Sequence, residues 1–281
     1  MEQIRNISIS TDDAHPLLAD VFFMDDGKPK PMVIFSHGFK GFKDWGTFNM
    51  IAEQFAREGF IFIKFNFSCN GVSLDNPIEF TDLDAFSKNN FSRELDDLEQ
   101  VISWSLSNAL IPESERAEEE ICLLGHSRGG AISIIKASED ERVKKLVTWA
   151  AVGDLGEKWN AAMRKEWKAK GVMQIENSRT GQQMPLKYQL IEDLENNKER
   201  LDVIAAASRI SVPFMAVHGT EDESVPFEHA IAMKRVNKQV KLNLIPSAGH
   251  TFGSYHPYHE KRLPIDTALV VKDGLQFFLE S

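Results

Sequence analysis

The residues of this chain best suited to covalent chemistry are Gly125-His126-Ser127-Arg128-Gly129. A serine hydroxyl is a weak nucleophile until a base takes its proton, so it must stand where another side chain can reach it. Gly-x-Ser-x-Gly provides this by setting the serine on a sharp strand-to-helix turn, with its hydroxyl lifted off the sheet edge. Such a turn strains the backbone at Ser127. It also brings strand and helix so close that Gly125 and Gly129 have no room for a Cβ. The helix start beyond it aims free amides and a positive dipole end at any anion forming beside the hydroxyl. A glycine-rich connection without chemistry carries the same letters, so the elements around it decide.

Ile121-Cys122-Leu123-Leu124 reads as a short buried strand leading into the turn, and an apolar helix start follows at Gly130-Ala131-Ile132. Toward the N-terminus, Ile4, Ile7 and Ile9 alternate within residues 3–10 and residues 17–24 form a second apolar run, predicting two strands. After the turn Asp25-Asp26-Gly27-Lys28-Pro29, the buried strand Met32-Val33-Ile34-Phe35 runs into Ser36-His37-Gly38-Phe39-Lys40-Gly41. Phe48, Ile51, Ala52 and Phe55 predict a helix over 47–58, broken at Gly59, and residues 60–67 the next strand, ending in Ser68-Cys69-Asn70-Gly71. Leu95, Leu98, Ile102 and Leu106 share one face of a helix near 91–107. The acidic run 113–120 reads as a solvated connection. Further strands are expected over 143–152, 212–217 and 242–245, with helices near 227–236 and 265–279. Strands alternating with helices place the chain in the α/β class, with a mostly parallel central sheet and helices on both faces.

Residues 154–210 break this rhythm. A helix near 157–169 puts Trp159, Met163 and Trp167 on one face, a hairpin is expected over 172–185 around Arg179-Thr180-Gly181, and a helix follows from about 186. The block is too long for a connection and too short for a domain. It is expected to be a cap or lid inserted over the strand ends of a core made of 1–153 and 211–281, with most of its Trp and Met residues simply packing it down.

With 281 residues, 42% of them hydrophobic, the chain can bury one large core. A net charge of −10 argues against nucleic acid or an anionic membrane as partner. Cys69 and Cys122 are expected to be buried free thiols rather than a disulfide. The opening Met-Glu-Gln-Ile-Arg-Asn has no apolar signal region, and no run reaches membrane-spanning length, so a cytoplasmic protein is expected.

Serine chemistry also needs a base, an orienting acid and a site for the oxyanion. After the strand at 212–217 comes His218-Gly219-Thr220-Glu221-Asp222-Glu223, and after that at 242–245 comes Pro246-Ser247-Ala248-Gly249-His250. Both lie at the carboxyl edge, where open α/β sheets build their sites. Asp154, which follows the preceding strand, is a further candidate acid. Together with His37-Gly38-Phe39 and the elbow itself, these segments resemble the functional loops of serine α/β-hydrolases in content and order. The resemblance runs from the second strand to the last helix. The inserted block is similar to the lids of bacterial cinnamoyl or feruloyl esterases and of serine-aminopeptidase-like hydrolases.

The resemblance implies the α/β-hydrolase fold and assigns roles by position. Ser127 would attack an acyl carbon, His250 would move its proton, and Asp222 rather than Glu221, Glu223 or Asp154 would orient the imidazole. The backbone N–H groups of Phe39 and Arg128 would form the oxyanion hole. His37, His126 and His218 become loop-packing residues. His256-x-x-His259 beside Glu260 could suggest a metal, but Pro257 intervenes and no helix places both rings on one face, so no metal and no organic cofactor is expected. Many relatives carry an arginine in the loop after the fourth strand, where this chain has Phe67-Ser68-Cys69-Asn70-Gly71, so no substrate role is carried onto it. The expected activity is hydrolysis of a small-molecule carboxylic ester through an acyl-enzyme. The alternatives are an amidase or peptidase, with Glu192-Asp193 supplying a site for a substrate ammonium, and a non-catalytic binding protein.

Overall fold

The computed structural model describes residues 1–9 and 15–280; Ser10, the last residue of the first predicted strand, lies outside them. In chain order the elements are β1 (Glu2–Ile9), β2 (Leu17–Phe23), β3 (Lys30–Ser36), α1 (Phe48–Arg57), β4 (Ile61–Asn66), α2 (Leu83–Ser87), α3 (Phe91–Ser107) and β5 (Arg116–His126). There follow α4 (Arg128–Glu139), β6 (Val143–Trp149), α5 (Ala161–Lys170), β7 (Val172–Asn177), β8 (Gln182–Lys187), α6 (Gln189–Asn196) and α7 (Val203–Arg209). The chain closes with β9 (Phe214–Gly219), α8 (Glu228–Val236), β10 (Lys241–Ile245) and α9 (Ile265–Leu279).

Eight strands form one sheet in the order β1-β2-β4-β3-β5-β6-β9-β10, parallel from β4 to β10, with β1 and β2 antiparallel at one edge. Parallel strands are covered on both faces, so both sets of alternating side chains must be apolar. In β3, Met32 and Ile34 enter the core on one side while Val33 and Phe35 enter the core on the other. The first core receives Leu95, Leu98 and Ile102 of α3, Ile132 of α4 and Met233 of α8. The second receives Ile51 and Phe55 of α1 and Val270 and Leu275 of α9. Each such large side chain, fully buried, contributes about 1.5–3 kcal/mol. No helix among the described residues is long and apolar enough to cross a membrane.

Between β6 and β9 the chain leaves the sheet and forms α5, the separate hairpin β7–β8, α6 and α7. The helix expected from 157 begins at Ala161, because Asn160 caps it by accepting from the Met163 N–H at 3.0 Å. Trp159 therefore precedes the helix, packed edge-on against Trp167 at 5.7 Å, while Met163 is exposed rather than on the buried face. The short helices α2 and α7 were not predicted from periodicity.

The acidic run 113–120 is the clearest departure. Its second half is strand β5, and Glu115 is buried. The Glu115 carboxylate accepts from the backbone of Asp26 at 3.1 Å and of Gly27, and pairs with the buried Lys30 ammonium. An acidic stretch reads as solvated only while its cation, far away in sequence, is unknown. The side chains of Glu118 and Glu119 lie outside the description.

Candidate active site

β5 is the fifth strand from the β1 edge of the sheet, and its carboxyl end turns directly into α4 at Ser127. Ser127 has φ 57° and ψ −120°, a left-handed conformation that a serine adopts only when its surroundings enforce it. They do: its N–H donates to the Trp149 carbonyl at 2.9 Å, and its own carbonyl accepts from Val152 at 3.2 Å and Gly130 at 3.0 Å. A Cβ on Gly129 would lie 2.3 Å from the Ser36 carbonyl oxygen, so only glycine lets α4 start this close to β3.

The loops after β9 and β10 are drawn together in the same way. A Cβ on Gly219 would lie 2.1 Å from the Ala248 carbonyl oxygen, and the Glu221 N–H donates to that carbonyl at 3.0 Å. This approach sets His250 between Ser127 and Asp222. The Ser127 hydroxyl donates to His250 Nε2 at 3.0 Å, and His250 Nδ1–H donates to Asp222 Oδ2 at 2.7 Å, with the tautomer assigned from this network. Glu221 and Glu223 are exposed, and Asp154 instead accepts from the Gly156 N–H at 2.7 Å.

The Asp222 side chain is fully enclosed. Burial alone would push its carboxyl up, but bonds from His218 and His250 and the backbone N–H of Val225 outweigh it and hold the group far below the usual carboxylate range. His218 Nε2 lies 3.1 Å from Asp222 Oδ2, and Ser224 and Val225 donate to Oδ1 at 2.8 and 2.9 Å. The sequence reading treats His218 as loop packing; its contact with Asp222 goes further than that. A histidine four residues ahead of the acid at a strand end was the available signal.

His126 and His37 stay neutral. Burial pushes His126 down to about 3, and its Nε2–H donates to the His250 carbonyl at 3.0 Å. Burial pushes His37 down to about 4; its ring accepts from the Phe67 N–H at 3.4 Å and contacts the Gly38 carbonyl at 2.8 Å. Asn70, in the loop lacking the family arginine, donates to the Gly41 carbonyl at 3.3 Å.

Arg128 is the first residue of α4, so its N–H has no carbonyl one turn upstream within the helix to bond. Its guanidinium lies 3.8 Å from the Phe39 ring centroid and 3.4 Å from the buried Glu94 carboxylate. The side chain thus pins the Phe39 loop against α3. Glu94 was missed, although it falls at position 94 between Phe91 and Leu98 on the apolar face of α3, where a carboxylate needs a buried partner.

Two cavities meet at Ser127. One, of about 220 Å³, is lined by Val152, Leu155, Trp159, Ile175 and Val225. The other, of about 310 Å³, is lined by Trp45, Phe48, His250, Thr251, Tyr255 and His256. Phe39 and Lys40 border both. Glu192 and Asp193, the segment offered for a substrate ammonium, line neither; Asp193 accepts from the Phe91 and Ser92 backbone at 3.1 and 3.0 Å, capping α3. Cys69 and Cys122 are free and buried, their thiols pushed by burial up to about 11 and about 12. His256 Nδ1 accepts from the Gly46 N–H at 2.9 Å, and no cluster of metal-ligating side chains occurs among the described residues.

The profile of the prolyl oligopeptidase family matches residues 47–264, more than three quarters of the chain, and the chain belongs to that family. This membership places it among hydrolases. No curated protein matches it by sequence. Among solved structures it is similar to Est1E from Butyrivibrio proteoclasticus, at 19% identity over 98% of both chains with a TM-score of 0.68; another structure of Est1E holds ferulic acid. It is also similar to the esterase domain of a Rhodothermus marinus protein, at 18% identity over 99% and 98% with a TM-score of 0.65. A third is α/β hydrolase domain-containing protein 10 from mouse, at 19% identity over 98% and 99% with a TM-score of 0.70. At these identities the likeness establishes the α/β-hydrolase fold.

Proposed function

We propose that this member of the prolyl oligopeptidase family is a serine hydrolase that cleaves carboxylic esters through an acyl-enzyme. The observation that carries the reading is the continuous chain from Ser127 Oγ through both nitrogens of His250 to Asp222, at 3.0 and 2.7 Å. Ser127 Oγ attacks the ester carbonyl carbon as its proton passes to His250 Nε2. The carbonyl oxygen gains the negative charge and is met by the N–H groups of Arg128 and Phe39, the proposed oxyanion hole. When the carbon–oxygen bond to the leaving group breaks, His250 gives its proton to the departing alcohol. Water, activated by the same ring, then releases the acid and restores Ser127. Asp222 stays ionised throughout and holds the tautomer.

Residues 154–210 are the proposed cap, inserted into a core of 1–153 and 211–281. Leu155, Trp159 and Ile175 from this segment line the cavity beside Ser127, which supports an apolar acyl site. Methyl ferulate and short p-nitrophenyl esters test the reading, with Ser127→Ala as the blank. The variant is expected to lose turnover by roughly 10⁴-fold or more while keeping its circular dichroism spectrum. Retained turnover would overturn the assignment. Amide cleavage is the second reading, favoured by the family match; the ratio of amide to ester turnover decides between them.

A further inference from the structure

The two cavities that meet at Ser127 differ in charge. The first mixes signs: Lys40 and Lys158 stand with Asp154 and Glu157, and Glu157 pairs with His229 at 3.0 Å. The second is lined by Lys40, Arg179 and the His256 ring, and among the described residues no carboxylate lines it, in a chain of net charge −10. Arg179 forms no ion pair among the described residues, and the Lys40 ammonium has only the Glu176 carbonyl, at 3.0 Å. Burial and the neighbouring Lys158 push Lys40 down, as expected of a cation short of counter-charge. Arg179 and His256 line this cavity together, and burial and then the Arg179 charge push His256 down. Glu176 and Asp44 act on this region from outside the lining, and Asp44 is already paired with Lys43 at 2.6 Å and Lys64 at 2.7 Å.

His250 borders the second cavity and not the first. A general acid must lie within hydrogen-bond reach of the oxygen it protonates, so the leaving group occupies the cavity that His250 borders. We infer that the second cavity accepts a leaving group carrying an anion, a carboxylate or a phosphate, held by Arg179 and Lys40. The inference rests on the serine-hydrolase reading for the direction in which the substrate lies, and it names the substrate class for that site. A guanidinium presents two parallel donors to such an anion, and an ammonium adds a point charge.

Binding and turnover test it separately. Calorimetric titration of the whole protein with 4-hydroxybenzoate, its neutral analogue 4-hydroxybenzamide, and phenyl phosphate reads the site without chemistry. At least one anion is expected to bind about tenfold more tightly than the amide, a ratio equivalent to about 1.4 kcal/mol. Arg179→Ala, in an exposed turn, is expected to remove most of that ratio. The relative strength of the carboxylate and the phosphate identifies the anion. Equal binding of anions and amide, or a preference untouched by Arg179→Ala, would overturn the inference. Turnover of 4-acetoxybenzoate beside 4-acetoxybenzamide then reads the catalytic assignment. Arg179-dependent binding with neither ester cleaved would sink the hydrolase reading and leave the anion site standing. Cleavage of both esters at equal kcat/KM, without anion-selective binding, would do the reverse.

Discussion

The loops that carry Ser127, Asp222 and His250 and the segment that lies between β6 and β9 are held by different kinds of contact. The loops are fixed by backbone against backbone: Gly129 on Ser36, Gly219 on Ala248, and the Ser127 amide on Trp149. The segment is fixed by side chains: Met184, Leu186, Leu190, Ile191 and Val203 join the first core, and single polar side chains reach across. Asp193 caps α3, Gln182 Nε2 donates to the Phe80 carbonyl at 2.8 Å, Gln189 Nε2 donates to the Asn89 carbonyl at 2.8 Å, and Arg200 pairs with Glu139 at 2.9 Å. Contacts of the first kind tolerate almost no substitution, because a carbonyl cannot step aside for a Cβ. Contacts of the second kind can be exchanged one at a time.

The largest effect that sharpens this contrast is expected at Asp222. Asp222→Asn keeps the volume but gives His250 Nδ1 a side chain that presents a donor or one neutral acceptor, so the wrong tautomer becomes accessible. A fall in kcat of roughly 10⁴-fold is expected, about 5.5 kcal/mol, with KM little changed. The carboxylate also takes bonds from His218, Ser224 and Val225, so a loss of stability should accompany it. Steady-state kinetics beside a thermal melt separates the two. A kcat within tenfold of the parent would show that Asp222 is scaffold rather than part of the reaction.

Asp193→Ala is the matching substitution in the segment. It removes acceptors from the Phe91 and Ser92 N–H groups and from Ser92 Oγ, and a carboxylate from the positive end of α3. A loss of about 1–2 kcal/mol is expected in denaturant unfolding. Its kinetic trace should be in KM, since α6 only helps to seat the segment that lines the first cavity. A fall in kcat comparable with that of Asp222→Asn would break the contrast between the two regions.

Legibility in the sequence follows the same division. Gly125 and Gly129 were readable because close backbone approach leaves glycine as the only choice, and a short motif records it. The alternating strands were readable because β3 buries both faces. The segment's contents were read as a hairpin between helices, but its contacts were not. Nothing near Asp193 says that its partner is the start of α3, a hundred residues earlier. Likewise Glu115 finds Lys30, and the buried Lys64 finds Asp20, only once the sheet is assembled. Glu94 lies between these cases: its place on an apolar helix face announced a buried partner without naming Arg128.

A third titratable group sits beneath the loop after β4 and gives the smallest and most specific effect. Asp97 is buried, and burial raises its carboxyl to about 7, although the Ser68 N–H and hydroxyl donate to it at 2.8 and 3.0 Å. The unfolded chain releases this proton near 3.8, so between about pH 4 and 7 the folded state holds a proton that the unfolded state has lost. Its contribution is fully present below 3.8 and declines as pH rises through 7. Across that window Asp97 lowers stability by about 1.4 kcal/mol per pH unit. His126 and His37 act oppositely: their folded values are depressed, so their contribution is present above 6.5 and is lost as pH falls toward 4. Asp97→Asn removes the first slope and leaves the histidine slopes. Unfolding free energy measured between pH 4.5 and 6 should therefore rise with pH more steeply in the variant, by about 1.4 kcal/mol per unit. Parallel lines for the two proteins would mean that Asp97 is ionised in the fold, with the Ser68 donors outweighing its burial.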